Sequence, residues 1–121
     1  MTKKVVWTDL TVADASGLKD FYQSVVGFAA EPVSMGDYED YCLKAPDASD
    51  PEVGVCHARG GNADIPPVWL VYFAVADLTA ALAQVEAAGG SVLKAPTAGG
   101  AFAVIRDPAG AVCALYQTDA Q

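Results

Sequence analysis

Positive charge is scarce in this chain. Its 121 residues carry 7 Lys and Arg against 15 Asp and Glu, a net charge of −8 with the single histidine neutral. Nucleic-acid binding needs clustered cations that release counterions from phosphate, and an anionic membrane surface asks for the same. Both partners are excluded on that ground. Long hydrophobic runs are also missing. A membrane-spanning helix needs roughly 18 or more apolar residues, and the longest candidate, Val68 to Val75, is strand-sized. The basic start, Lys3-Lys4, reaches Asp9 before any secretory apolar segment develops. Cysteine is sparse too. Cys42, Cys56 and Cys113 are odd in number and widely spaced, which argues against a disulfide framework or a zinc cluster. The expectation is reduced, mostly buried thiols in a cytoplasmic protein.

What is present is apolar and ordered. Hydrophobic residues make up 53% of the chain, too many for a disordered polypeptide. The length suits one domain, or two small repeated units sharing it. The sequence favours the second. Val5 to Asp14 and Val68 to Asp77 are both β-rich runs ending in Val-Ala-Asp, offset by 63 residues (77 minus 14). Asp14 and Asp77 are each placed to N-cap a helix, since a carboxylate can accept from the free N–H groups of a first turn. Leu18, Phe21, Tyr22 and Val25 then fall at helical spacing, as do Leu78, Ala81, Leu82 and Val85. Gly27 and Gly89-Gly90 supply the helix stops.

More strands are predicted in each half: Ala29–Val33, Tyr38–Lys44 and Val53–Ala58, then Ser91–Ala95, Phe102–Arg106 and Ala111–Gln117. Residues 45–51 hold two prolines and read as a loop. Asp107-Pro108-Ala109-Gly110 reads as a tight turn. The predicted organisation is βαβββ twice, with module 1 at about 4–60, a linker at 61–67 and module 2 at about 68–118.

Two βαβββ modules in this length resemble the vicinal oxygen chelate superfamily of glyoxalases, bleomycin-resistance proteins and extradiol dioxygenases. The resemblance is carried by Asp14 with Phe21-Tyr22 and Gly27-Phe28, and by the terminal Asp107-Pro108-Ala109-Gly110 turn before a strand. It implies an α+β fold in which each module is a curled mixed sheet with a helix on its outer face, the two enclosing a cavity. It also implies metal ligands on the first and last strands of each module. Those positions fall on Trp7, Leu70 and Ala114, with the fourth nearest Val55, so no metal and no cofactor are expected.

Strand alternation then sorts the side chains. Trp7, Asp9 and Thr11 are predicted on the cavity face, with Leu70 and Tyr72, with Ala114 and Tyr116, and with Val53, Val55 and His57. Val6, Leu10, Val12, Cys56 and Cys113 are predicted to face the helices. The ligand-binding candidates are therefore Trp7, Asp9, Thr11, His57, Leu70, Tyr72, Ala114 and Tyr116. An aromatic, largely apolar wall suits a small organic molecule that is aromatic or, given the acidic balance, cationic. The function expected is a metal-free small-molecule-binding protein, homodimeric as small members of the superfamily commonly are. The alternative is a lyase, isomerase or dioxygenase-like enzyme with a non-standard or absent metal site. No catalytic residue is nominated.

Overall fold

The computed structural model describes residues 3–97 and 100–118. The elements are β1 (Val5–Val12), α1 (Ala15–Val26), β2 (Ala29–Ser34), β3 (Glu39–Lys44), β4 (Val53–His57), a short 3-10 turn (Gly60–Asn62), β5 (Leu70–Val75), α2 (Leu78–Ala87), β6 (Ser91–Lys94), β7 (Phe102–Arg106) and β8 (Val112–Gln117). The order is βαβββ twice, an α+β architecture. Two compact units result, one of Thr8–Trp69 and one of Met1–Trp7 with Leu70–Gln121. They are the first and the second unit, in that order.

Both helices start as the carboxylates dictate. Asp14 Oδ1 accepts from the Gly17 N–H at 3.0 Å, and Asp77 Oδ1 accepts from the Ala80 N–H at 3.0 Å. α1 ends at Gly27, whose φ of 89° is left-handed and open to glycine without strain.

In the first unit the strand order is β2-β3-β4-β1. β1 and β4 run parallel, and the other pairs are antiparallel. The core is Ala15, Tyr41, Leu43 and Val55, with Leu18, Tyr22, Val12, Val53 and Trp69 packed on it. α1 buries a narrower stripe than its spacing predicts. Ala15, Leu18 and Tyr22 reach the sheet, while Phe21 and Val25 are 54% and 64% exposed. Small Ala15 lets the helix settle on that side, which leaves Phe21 on its flank and Val25 in the last turn.

The second unit repeats the plan with order β5-β8-β7-β6, β5 and β8 parallel and the rest antiparallel. The start of β1 belongs to it, the Ala74 N–H donating to the Lys4 carbonyl at 2.7 Å. Leu78, Ala103, Ile105 and Leu115 form the core under α2, and Ala81, Leu82, Val85 and Cys113 pack against them. The turn before β8 is closed by Asp107, whose Oδ1 accepts from the N–H groups of Ala109 (2.8 Å) and Ala111 (3.0 Å).

The repeat extends to strand register. Asp9 pairs with Gly54 and Thr11 with Cys56 in the first unit. Tyr72 pairs with Ala114 and Ala74 with Tyr116 in the second. Gly54 is thus the first unit's counterpart of Ala114.

Candidate functional site

Cross-strand partners share a face. Two rows therefore cross one face of the second unit's sheet. Lys94, Val104, Ala114 and Tyr72 make one, and Phe102, Tyr116 and Ala74 make the next. α2 covers the opposite face, so these rows present their side chains away from the helix. Here the unit forms a cavity of about 330 Å³, lined by Val6, Trp7, Tyr72, Phe102 and Tyr116. That volume lies in the range of roughly 300–1,000 Å³ typical of small-ligand sites. The Tyr72 and Phe102 rings stand 5.8 Å apart, inclined at 46°. The Lys94 ammonium lies 5.8 Å from the centre of the Phe102 ring, within cation–π reach.

Ala114 and Leu70 are fully buried on this face, Ala114 in register between Tyr72 and Val104. Trp7, Tyr72 and Tyr116 are brought together as cavity walls. Phe102 belongs with them, with Lys94 over its ring, and sequence reading missed both. The signal was available: Phe102 and Val104 alternate on β7 just as Ala114 and Tyr116 do on β8. Val6, expected under a helix, lines the cavity beside Trp7. A hollow of about 490 Å³ also lies along α2, where Val75, Ala81 and Val85 pack against core residues Ile105 and Leu115 in the helix seam.

The remaining candidates, Asp9, Thr11 and His57, belong to the first unit. Asp9 and Thr11 are buried, and Cys56, level with Thr11, shares their face. Burial pushes the Cys56 thiol up to about 12, with help from the Asp9 and Asp40 carboxylates. The expected orientation of β4 is therefore reversed. Val55 pairs with Leu10 and packs into the α1 core, and His57 is level with Val12. Cys56, not His57, lies on the Asp9 face. The cause is the β3–β4 loop, whose irregular length hides the register. His57 joins a separate cluster. Its backbone N–H donates to Asp40 Oδ1 at 2.8 Å, and its Nδ1 lies 3.5 Å from the same oxygen. Its ring meets Tyr38 edge-on at 5.5 Å, and the Arg59 guanidinium stacks on Tyr38 at 4.1 Å.

The metal positions implied by the resemblance can now be tested. Trp7 is a cavity wall, and Leu70 and Ala114 are buried apolar residues. The fourth position, by the repeat in register, is Gly54 rather than Val55. None carries a donor atom. Among the described residues, no three or more His, Cys, Asp or Glu are grouped to hold a metal ion. The donor set does not fit a metal.

The family model for the Glyoxalase/Bleomycin resistance protein/Dioxygenase superfamily matches residues 4–115. The chain belongs to that superfamily. A putative glyoxylase of Mycobacterium tuberculosis is 35% identical over 120 residues, 96% of this chain and 44% of that protein. An anthracycline biosynthesis protein of Streptomyces peucetius is 33% identical over 131 residues, 92% of this chain and 46% of that protein. The chain thus spans less than half the length of these curated relatives. Among solved structures, a methylmalonyl-CoA epimerase of Streptomyces coelicolor is similar with a TM-score of 0.57 at 17% identity, covering 99% of this chain and 100% of the other. A hypothetical protein of Bacillus halodurans reaches 0.60 at 13% identity, covering 98% and 96%. At such identities the likeness shows the glyoxalase-superfamily fold alone. No helix among the described residues is long and apolar enough to cross a membrane.

Proposed function

We propose that this glyoxalase-superfamily chain binds a small planar organic molecule in the aromatic cavity of its second unit, without a metal ion. The observation that carries the reading is the lining itself. Trp7, Tyr72, Phe102 and Tyr116 offer flat apolar surface around a ligand-sized space. The ring-lined wall favours stacking, and the apolar residues at the superfamily's ligand positions favour binding over Lewis-acid chemistry. A thermal-shift screen of planar aromatic compounds tests it. A ligand at a hundred times its Kd stabilises by about 2.7 kcal/mol, and Phe102→Ala is expected to remove most of the shift. Shifts that Phe102→Ala leaves intact would contradict the assignment.

A second reading, a lyase or isomerase, is favoured by one observation. Buried Asp9 and Thr11 share a face with half-buried Cys56 in the first unit. If that face carries chemistry, Asp9→Asn abolishes turnover while aromatic binding persists. Self-association into a homodimer is supported by the exposed apolar residues Phe21, Val25 and Val26 of α1. Light scattering after size exclusion tests it, and a monomer would contradict it. A reducing, cytoplasmic setting is supported by three free cysteines.

A further inference from the structure

The charge of this chain is divided unequally. The second unit holds four cations (Lys3, Lys4, Lys94, Arg106) and four acids (Asp77, Glu86, Asp107, Asp119), so it is neutral. The first holds three cations (Lys19, Lys44, Arg59) and eleven acids, so the whole −8 belongs to it. The net charge of the chain therefore says nothing in favour of a cationic ligand in the second unit's cavity.

The face that bears the cavity is more one-sided still. Along β5, β7 and β8 it presents Leu70, Tyr72, Ala74, Phe102, Val104, Val112, Ala114 and Tyr116, with Arg106 continuing the β7 alternation and Lys94 in the Val104 row. No acid stands among these positions. Asp77 and Glu86 belong to α2's end of the fold and to α2 itself, on the other face, and the Asp107 carboxylate is engaged by its own turn. Lys4 adds an ammonium beside Ala74, whose carbonyl it reaches at 3.4 Å. Among the described residues, Lys4, Lys94 and Arg106 have no carboxylate within ion-pair distance. Half-buried Lys94 is the one held against the cavity wall, over Phe102.

An unpaired ammonium beside an apolar, aromatic space attracts an anion more strongly than it would in open water, because the local dielectric is lower. A cation in the same space would be repelled by Lys94. We propose that the cavity takes a planar aromatic anion, its ring against Phe102, Tyr72 and Tyr116 and its carboxylate or equivalent group contacting Lys94. This rests on the cavity being the ligand site.

Calorimetric titration with three probes of one shape tests the idea: 2-naphthoate, neutral 2-naphthylmethanol and 2-naphthylmethylammonium. At low salt the naphthoate is expected to bind about two- to fivefold more tightly than the neutral probe, the range of a partly exposed ion pair, and the ammonium probe more weakly than either. Rising salt should shrink the gap. Lys94→Met, which keeps the stem over Phe102, should abolish most of it while leaving the neutral probe's affinity in place. Lys19→Met, on α1, should change nothing. Arg106→Gln and the salt series on the unaltered protein keep the test open should Lys94→Met fold poorly. Equal affinities for all three probes, or preference for the ammonium, would overturn the charge inference and leave the aromatic site standing. Absence of saturable binding by any probe would overturn the site and the inference together.

Discussion

Alkylation of Cys56 offers a direct check on the reversed orientation of β4. The thiol sits on the Asp9 face, where burial first, and the Asp9 and Asp40 carboxylates after it, raise its pKa from 9.0 to about 12. At pH 8 that lowers the thiolate fraction from about one in ten to about one in ten thousand, roughly a thousandfold. A more basic thiolate is a better nucleophile, which returns about 20- to 30-fold of the loss for a Brønsted slope near 0.4–0.5. The net expectation is native alkylation at least about 30-fold slower than in the urea-unfolded chain, before steric protection is counted. Iodoacetamide labelling at pH 8, followed residue by residue by mass spectrometry, reads this. Burial also raises the thiols of Cys42 and Cys113, so these serve as internal comparisons, with Cys56 the slowest. Asp9→Asn removes one of the charges that disfavour the thiolate and should speed Cys56 selectively. The fold favours the neutral thiol, so the contribution is complete below about pH 9 and is lost as pH rises toward about 12. Cys56 labelling natively as fast as in urea, with no response to Asp9→Asn, would refute its placement beside Asp9.

Other expectations are simpler. Leu43→Ala empties a fully buried position in the first unit's core, and urea denaturation should show a loss of about 2–5 kcal/mol. Gly27→Ala has open space for its Cβ but inherits a φ of +89°, so it should cost about 1 kcal/mol or somewhat more, entirely through backbone strain. Because Trp7, Leu70, Gly54 and Ala114 offer no donor, zinc, nickel or manganese should leave the melting temperature unchanged, and EDTA likewise. A metal-dependent rise with a defined stoichiometry would contradict that reading.

Much of the fold was legible because the same local rules operate twice. The Val-Ala-Asp endings gave both helix starts, and the Asp107 turn gave the last strand its position. The aromatic wall followed from alternation on β5 and β8, where Tyr72, Ala114 and Tyr116 are separated by regular spacing from recognisable turns. Alternation failed where it had no fixed origin. β4 follows an irregular loop, and a one-residue error there exchanges every side chain between faces. His57 was thus assigned the place that Cys56 occupies. Lys94 and Phe102 escaped notice for another reason. Their meeting depends on pairing between β6 and β7, including a register shift between Val92 and Lys94 that no local pattern announces.

The central claim is that the second unit's aromatic cavity is a ligand site that works without metal. An amide NMR titration of the chelator-treated chain with 2-naphthoate tests it most directly. The account predicts saturable shifts concentrated at Val6, Trp7, Tyr72, Phe102, Lys94 and Tyr116, unchanged when divalent metal is restored. Shifts confined to other residues, or arising only after metal is added, would contradict it.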